Sequence, residues 1–269
     1  MWMPDPIAFE IGPLVVRWYG ILISSALGLG TILAYREAAR QGIDPEHILN
    51  LVVVAAPLGF IGARIHYVLF SDLQYYLANP AEIPAVWHGG LAFHGALIGG
   101  VLGGYLVIRH YKLDFWKLAD VVAPSIILGQ AIGRWGNFFN QEAYGYETNL
   151  PWAMFIDGAY RHPTFLYESL WDFFVFLILI WLRRQNFIKK GDVFAAYLAL
   201  YSMGRIVVEQ FRTDSLMFGP FRVAQIISLM GIVLGIILIR YHHRPVKLLN
   251  KGVYTDQKNK EQKKNKEQK

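Results

Sequence analysis

Residues 164–184 read TFLYESLWDFFVFLILIWLRR, and this stretch decides the class of protein. A helix needs about twenty predominantly apolar residues to cross a bilayer core about 30 Å thick. Six other stretches have the same character, so we predict about seven membrane-spanning helices, at roughly 16–36, 48–70, 90–110, 118–139, 164–183, 193–211 and 221–240. The predicted fold is all-α, a polytopic integral membrane protein.

The composition of the 269-residue chain agrees with a membrane protein. Apolar residues make up 54% of the chain and charged residues only 17%, and the mean hydropathy is +0.30. The chain has no Cys, which excludes disulfides, thiolate metal sites, iron–sulfur clusters and an enzyme thiol. If the chemistry uses a thiol, the substrate must bring it.

The basic charge lies at the C-terminal end of the chain. From Tyr241 onward there are nine Lys or Arg against three Asp or Glu, and this difference equals the whole net charge of +6. We predict that residues 246–269 form a disordered basic tail in the cytoplasm and contact anionic lipid. No nucleic-acid-reading module accompanies the tail, so we expect no nucleic-acid partner.

The loops assign an orientation to the helices. Basic residues follow the first, third, fifth and seventh predicted spans, and short loops rich in Lys and Arg stay in the cytoplasm. We therefore predict a multi-pass membrane domain of residues 1–245, with the N-terminus outside and the C-terminus inside. Its largest outer segment is a small head at about 140–163.

Charged residues occur inside the predicted spans, where each costs on the order of 2.5–3.5 kcal/mol on insertion scales. Three of them, Arg205, Glu209 and Arg212, share one helical face. The arginines outnumber the carboxylates and imply an anionic ligand, for which a phospholipid phosphate is the obvious candidate. The arginines counted are Arg64, Arg134, Arg205 and Arg212, and the carboxylates are Glu142, Glu168 and Glu209. A plain ion pair between Glu209 and one arginine is the alternative for that pair.

The segment 133–142, GRWGNFFNQE, is the first candidate for the phosphate site. The planar fork of Arg134 suits bidentate binding of phosphate oxygens, and the glycines at 133 and 136 would let a head group approach the backbone. Asn137, Asn140 and Gln141 offer donors and acceptors for the hydroxyl groups of a glycerol head group. Alternatively, these polar residues only cap the helix end.

Other residues have both a structural and a functional interpretation. His94 is either a satisfied hydrogen-bonding histidine or a catalytic group, and Tyr19 belongs either to an aromatic belt or to the site. No acidic ligand motif accompanies the histidines, so we predict no metal. Gly95, Gly99 and Gly103 form a double GxxxG pattern, which favours close helix packing, with a lipid against the same bare backbone as the alternative.

Five motifs occur in order along the chain: RWYG at 17–20, HGGLAFHGALIGG at 88–100, GRWGNFFNQEAYG at 133–145, RHPTFLYES at 161–169 and GRIVVEQFRTD at 204–214. In these motifs the sequence resembles the bacterial prolipoprotein diacylglyceryl transferases. The third motif is similar to the family signature G-R-x-G-N-F-x-N-x-E-x-x-G at every specified position. The resemblance extends from about Arg17 to Arg240.

The resemblance implies an activity and its partners. The expected reaction moves the diacylglyceryl group of phosphatidylglycerol to the lipobox cysteine of a prolipoprotein, forming a thioether and releasing glycerol phosphate. The expected partners are phosphatidylglycerol, the prolipoprotein signal peptide and the lipid bilayer of a bacterial cell membrane. No cofactor is expected.

The resemblance also implies residue roles. Arg134 would hold the lipid phosphate, Arg205 is the second catalytic arginine, and His94 is the preferred base with Tyr19 as the alternate. Glu209 and Arg212 would orient Arg205. The expected phosphatidylglycerol-binding residues are Arg134, Asn137, Asn140, Glu142, Gly145, Glu209 and Arg212. The faces near Gly99 and Gly103 are candidates for lateral passage of the acyl chains.

Two other classes of protein remain as alternatives. Intramembrane arginines and glycine-rich helices also mark secondary transporters for organic anions. Seven spans do not divide into two equal halves, and spans one to three share no motif with spans five to seven, which argues against a transporter. A non-enzymatic membrane scaffold would not need charged residues inside its spans.

Overall fold

The computed structural model describes residues 5–12 and 14–244, so the predicted tail at 246–269 lies outside the described residues. The described chain is mostly helical. Its α-helices are α1 (Trp18–Arg40), α2 (Glu46–Phe70), α3 (Leu73–Ala78), α4 (Phe93–Tyr111), α5 (Phe115–Phe139), α6 (Thr164–Leu182), α7 (Asp192–Glu209) and α8 (Val223–His242). Apart from the short α3, each helix begins and ends within four residues of a predicted span.

Five of the long helices, α1, α2, α5, α6 and α8, are long and apolar enough to cross a membrane. Large apolar side chains on the helices are exposed, among them Val53 at 70%, Ile98 at 66% and Met230 at 66%. An extended apolar surface of this kind suits contact with lipid rather than water. The helices thus support a membrane protein.

The prediction of an all-α chain misses three short antiparallel hairpins. They pair Ile7–Ile11 with Leu14–Arg17, Met154–Ile156 with Ala159–Arg161, and Met217–Phe218 with Phe221–Arg222. Strands this short leave little alternation of apolar and polar residues to read in the sequence. The first and third hairpins lead directly into α1 and α8.

Short connections set the direction of the helices. Residues 41–45 join α1 to α2, and residues 112–114 join α4 to α5, so the helices of each pair run antiparallel. The start of α1 meets the end of α5, where the rings of Trp18 and Phe139 stack at 5.0 Å. We call this end of the bundle the Arg134 end. The opposite end, where α1 finishes and α5 begins, is the Glu37 end.

Glycines let α4 pack closely on α2. Gly95, Gly99 and Gly103 are buried. A Cβ on Gly103 would lie 2.6 Å from Cα of Ala55, and a Cβ on Gly99 would overlap the carbonyl oxygen of Leu58. The prediction of close helix packing is therefore confirmed. The predicted acyl-chain passage along Gly99 and Gly103 is wrong, because the backbone of α2 fills that space.

The main apolar core lies between α5, α6 and α7. Its buried members are Ala123, Ile127, Val175, Leu179, Val193, Ala196 and Tyr197. These residues occupy the middle of α5, the second half of α6 and the first turns of α7. The core therefore separates the polar side chains at the Arg134 end from those at the Glu37 end.

Candidate functional site

A buried carboxylate, Glu168, lies at the centre of the polar side chains at the Arg134 end. It belongs to the first turns of α6, and its side chain is 5% exposed. Its Oε2 is 2.7 Å from Nε of Arg134, and its Oε1 accepts a hydrogen bond from Nη1 of Arg205. Nη1 of Arg212 lies 3.9 Å from the same Oε2. One carboxylate therefore joins arginines from α5, from α7 and from the segment after α7.

Two of these arginines have a second acidic partner. Nη2 of Arg205 lies 2.7 Å from Oε2 of Glu209, one turn later on α7. Arg212 donates hydrogen bonds from Nε and Nη2 to the carboxylate of Asp214, at 2.9 and 2.7 Å. The ion-pair interpretation of Glu209 is confirmed. The roles of Arg205, Glu209 and Arg212 in substrate binding stay predictions.

Arg134 differs from the other two arginines in its terminal nitrogens. Its Nε faces Glu168, but no residue in the described part of the chain accepts a hydrogen bond from its Nη atoms. Its side chain is 21% exposed, so these atoms can be reached from outside the bundle. A guanidinium held at Nε with two free Nη groups can bind a phosphate through two parallel hydrogen bonds.

Tyr19 lies beside Arg134, at the start of α1. Its ring rests on Gly136, where a Cβ would lie 2.9 Å from Cε2 of the tyrosine. The phenol is within electrostatic range of Glu142 and Arg134. The prediction that the glycines beside Arg134 open the backbone to a head group is wrong for Gly136, because the Tyr19 ring fills the space.

Two asparagines hold a carboxylate at the end of α5. Asn137 and Asn140 each donate a hydrogen bond from Nδ2 to Oε1 of Glu142, at 3.0 and 3.2 Å. Their amides therefore bond a side chain instead of capping the helix. Glu142 is exposed, and its carboxylate and Arg134 both lie within electrostatic range of the Tyr19 phenol.

Gly145 lies where three backbone segments meet. Its N–H donates to the carbonyl of His162 at 3.0 Å, and it forms a β-bridge with Arg212. A Cβ on Gly145 would lie 2.6 Å from Cβ of His162 and 2.8 Å from the carbonyl oxygen of Phe211. Glycine is thus needed to tie the segment after α5 to the segment after α7, which positions Arg212. Its part in lipid binding stays a prediction.

The segment 140–163, predicted as an outer head, is folded around its hairpin. The guanidinium of Arg161 lies over the ring of Tyr144, with Cζ 4.7 Å from the ring centroid. The Tyr144 hydroxyl donates to Asp157, and this hydrogen bond raises the pKa of the phenol. Ile156 of the hairpin packs with Phe138 of α5 and Phe165 of α6, so the segment covers the end of α5. The side of the membrane on which it lies stays a prediction.

His94 lies apart from the arginines. It is exposed near the start of α4, and its ring centroid is 5.9 Å from those of His66 and Phe93. No hydrogen bond or ring contact within residues 5–12 and 14–244 joins it to Arg134 or Tyr19. In the same residues, no group of three or more His, Cys, Asp or Glu side chains is arranged to hold a metal ion. The assignment of His94 as the base stays a prediction.

Arg64 does not belong to this site. Its guanidinium donates hydrogen bonds to the carbonyl oxygens of Ile83 at 2.8 Å, Gly89 at 2.6 Å and Gly90 at 2.9 Å. These bonds order the connection between α2 and α4. The charge of Arg64 is thus solvated by backbone carbonyls, and counting it toward an anion site was wrong.

Two carboxylates at the Arg134 end, Asp172 and Asp214, are absent from the site residues predicted from the sequence. Asp172 lies one turn after Glu168 on α6, is 2% exposed and is within electrostatic range of Arg134 and Arg205. An acidic residue in an apolar span, four positions from another, is the signal that reveals it. With these two carboxylates included, the arginines are not in excess, so the predicted uncompensated positive field is wrong.

Comparison with known proteins identifies the family. A model of the prolipoprotein diacylglyceryl transferase family matches residues 6–241. The chain belongs to this family. Three curated relatives are named phosphatidylglycerol–prolipoprotein diacylglyceryl transferase. The relative from Listeria innocua is 48% identical over 266 residues, with 94% of each chain covered. That from Clostridioides difficile is 49% identical over 233 residues, covering 87% of this chain and 93% of its own. That from Bacillus mycoides is 48% identical over 247 residues, covering 87% and 91%.

The match to the prolipoprotein diacylglyceryl transferases includes every site residue discussed above, from Tyr19 to Asp214. It confirms the resemblance stated from the five motifs. It also confirms the prediction of an enzyme, since the relatives are named as transferases.

Proposed function

We propose that the chain transfers the diacylglyceryl group of phosphatidylglycerol to the lipobox cysteine of a prolipoprotein, the first step of lipoprotein maturation. Family membership supports the reaction class. The observation that carries the proposal is Arg134, which is fixed at Nε by Glu168 while its Nη atoms stay free. This arrangement suits the lipid phosphate, which becomes the leaving group.

The reaction is a substitution at carbon. The cysteine sulfur attacks the diacylglyceryl carbon that carries the phosphate, a C–S bond forms, and the C–O bond breaks. Its electron pair leaves on the oxygen of glycerol phosphate, while the thiol proton passes to a base. Negative charge grows on the phosphate oxygens in the transition state, where preorganised donors are most effective. Arg134 supplies such donors.

The remaining charged residues hold Arg134 in place. Glu168 aligns Nε of Arg134, and Arg205 and Arg212 fix Glu168 in turn. Both terminal nitrogens of Arg205 form ion pairs, with Glu168 and with Glu209, so we assign it a positioning role through Glu168 together with its charge. Because a misplacement of about 1 Å can cost about 100-fold in rate, a network behind the phosphate-binding arginine has catalytic value.

The donor lipid has hydroxyl groups that a second set of residues can recognise. We assign this task to Glu142, whose carboxylate is exposed and held by Asn137 and Asn140. A carboxylate can accept hydrogen bonds from the hydroxyl groups of a glycerol head group. Selection of phosphatidylglycerol over lipids without those hydroxyls follows from this contact.

The two candidate bases differ in chemistry and in position. A histidine has an ordinary pKa near 6.5 and accepts a proton at neutral pH, whereas a phenol with a pKa near 10 is already protonated there. We therefore assign the base to His94 and a lipid-positioning role to Tyr19, whose ring rests on Gly136. His94 lies at the Arg134 end because α4 begins there.

All seven long helices cross the bilayer in this proposal. The 19-residue α4 and the 18-residue α7 are each about 28 Å long, close to the bilayer core of about 30 Å. The outward face of α4, with Leu97, Ile98 and Val101, is apolar and exposed. The Arg134 end with the segment 140–163 then faces outward, where an exported prolipoprotein arrives. The N-terminus is outside, and the C-terminus is in the cytoplasm of the bacterial cell.

The first experiment measures transfer from labelled phosphatidylglycerol to a lipobox peptide by the full chain purified in detergent. We expect labelled peptide with phosphatidylglycerol as donor, and none when phosphatidylcholine replaces it or when the peptide cysteine is replaced by serine. No product from folded protein would reject the proposal, and anion flux through reconstituted vesicles would then test the transporter alternative.

A second experiment separates the roles of His94 and Tyr19. We expect His94→Gln to remove the acidic limb from the pH profile of kcat/KM, because that limb reports the free base of the enzyme. Tyr19→Phe should leave the limb in place and change KM for the lipid more than kcat. An unchanged limb in His94→Gln would reject the assignment of the base.

A further inference from the structure

A second buried carboxylate with several arginines lies at the Glu37 end. Glu37, near the end of α1, has a side chain only 1% exposed. It accepts a hydrogen bond from Arg40, and its Oε2 lies 3.4 Å from Nη1 of Arg183 and 3.7 Å from Nη2 of Arg184. One negative charge therefore serves three guanidiniums, all of which stay protonated in proteins.

A cavity of about 200 Å³ opens beside these arginines. Its lining residues are Arg40, Gln41, Lys117, Asp120, Arg183, Gln185, Ile188, Lys189, Lys190 and Val193. A water molecule takes about 30 Å³ in the liquid, so the cavity has room for a larger polar group such as phosphate. Five of the ten lining residues are cationic, and one is acidic.

The acidic groups near the cavity are already occupied. Asp120 accepts hydrogen bonds from the backbone N–H of Gly191 at 2.6 Å and of Phe194 at 2.9 Å. Asp114 pairs with Lys190 at 2.7 Å. Asp192 is bonded by His242 and His243. Even when the neighbouring carboxylates of Glu37, Asp114 and Asp192 are counted with Asp120, the five cations of the lining are in excess.

Arg183 is the clearest sign that a ligand is needed. Its side chain is only 7% exposed, and it lines the cavity. Its Nε and Nη1 are buried and have no hydrogen-bond partner among the described residues. A buried donor without a partner costs about 1–3 kcal/mol, and more when it carries a charge. Lys117, also without an ion-pair partner in the described chain, lines the same cavity.

We propose that this cavity binds a phosphate group, at the opposite end of the bundle from Arg134. Lys117 and Arg134 lie seventeen residues apart on α5, which is about 25 Å along a helix, so one ligand cannot serve both sites. The phosphate can come from an anionic lipid head group or from free phosphate in solution. The proposal does not depend on the transferase activity.

The test measures how fast Lys117 is acylated by an amine-reactive reagent, read by mass spectrometry on the full chain in phosphatidylcholine bilayers. Lys112, exposed at the same end, is the internal reference because it does not line the cavity. One arm adds inorganic phosphate. The other arm replaces part of the phosphatidylcholine by phosphatidylglycerol. A phosphate bound beside Lys117 slows its acylation relative to Lys112.

Protection by inorganic phosphate supports the proposal and identifies a soluble ligand, whereas protection only in bilayers with phosphatidylglycerol supports it and identifies a lipid head group. In either case we expect Arg183→Gln to weaken the apparent affinity about tenfold or more, the factor for losing a charge-assisted hydrogen bond. Arg36→Gln, which removes an exposed arginine on α1, is the matched control and should protect like the wild type.

A second variant, Lys189→Gln, is measured beside Arg183→Gln and removes a cavity charge without an ion pair to Glu37. If the first variant does not fold, the second carries the test, and it too should weaken protection. Protection of Lys117 in neither arm, or equal protection in wild type, Arg183→Gln and Lys189→Gln, would overturn the proposal.

Discussion

The two ends of the bundle have the same arrangement of one buried carboxylate and three arginines, but they differ in charge balance. At each end one buried carboxylate is shared by three arginines: Glu168 at the Arg134 end and Glu37 at the Glu37 end. Around Glu168 further carboxylates pair with Arg205 and Arg212, whereas both Nη atoms of Arg134 have no hydrogen-bond acceptor among the described residues. Around Glu37 the cavity is lined by lysines as well as arginines, so positive charge is in excess there.

The number of charged residues at one end of the bundle therefore does not show by itself where an anion binds. The Arg134 end has no arginine excess, yet one guanidinium is aligned by its Nε and four of its five N–H donors have no acceptor among the described residues. A hydrogen bond from an aligned guanidinium to the phosphate is stronger in an interior of low polarity than in water. The aligned donors also need no reorganisation during the reaction. The Glu37 end has the excess, but its arginines meet at helix ends where Arg40 and Arg184 are exposed.

The largest expected effect is on activity at the Arg134 end. Arg134→Ala should lower kcat about 100-fold or more, as removal of one oxyanion donor does. Arg134→Lys keeps the charge but loses the fork, so it should recover only part of the rate. The control is Arg36→Gln at the Glu37 end, which should keep wild-type transfer to the lipobox peptide. Equal rates for Arg134→Ala and Arg36→Gln would remove the functional distinction between the ends.

The second prediction compares the two shared carboxylates. Glu168→Gln removes the only ion-pair partner of Arg134 among the described residues and one of the two partners of Arg205, and it should destabilise the protein by about 3–5 kcal/mol. Glu37→Gln should cost less, because Arg40 and Arg184 are 41% and 49% exposed and can be solvated by water. Thermal unfolding of both variants in one detergent at one scan rate checks the order, and the reverse order would contradict it.

A smaller effect is expected from the glycines beside Arg134. Gly136→Ala forces the Tyr19 ring to move and should lower transfer about tenfold, in line with the cost of misplaced groups. Gly133→Ala should cost less, since its Cβ would lie 3.6 Å from Cδ1 of Ile23, an ordinary contact. Transfer rates of both variants test this. In a Tyr19→Ala background the effect of Gly136→Ala should shrink, and an undiminished effect would show that Tyr19 is not the cause.

The smallest expected effect is on stability and comes from Asp214, an exposed partner of Arg212 at the Arg134 end. Burial raises the pKa of Asp214, but the hydrogen bonds and charge of Arg212 prevail and hold it below its ordinary value of 3.8. The stabilisation is therefore present above that pH and is lost as the pH falls below it. Asp214 is 49% exposed, so Asp214→Asn should cost less than about 1 kcal/mol near neutral pH. Unfolding of both proteins followed against pH should show the curves converging in acid.

Much of the fold was predictable because it depends on local sequence. Apolar runs of about twenty residues located the seven long helices, and the GxxxG spacing of Gly95, Gly99 and Gly103 indicated close packing. The hairpins were missed because strands of two to five residues carry too short a pattern. The motif around Arg134 located one site, since an arginine in an apolar span needs a reason.

The partners of each charge were not predictable from the sequence. Arg64 and Arg134 look alike in their spans, but one is bonded to backbone carbonyls and the other to Glu168. Asp172 was overlooked, and His94 was placed with residues that it does not contact in the described chain. Linear spacing shows which side chains share a helix face, but not which face of another helix they meet.

The long apolar helices, the family and the segment that carries Arg134 could thus be predicted without the structure, because they depend on hydropathy and on motifs within one stretch of chain. The tertiary structure decided that Glu168 is shared, that Tyr19 rests on Gly136 and that a second arginine cluster forms around Glu37. The reason is physical. Charge pairing acts over a few ångströms, and only the packing of helices brings residues distant in the chain within that range.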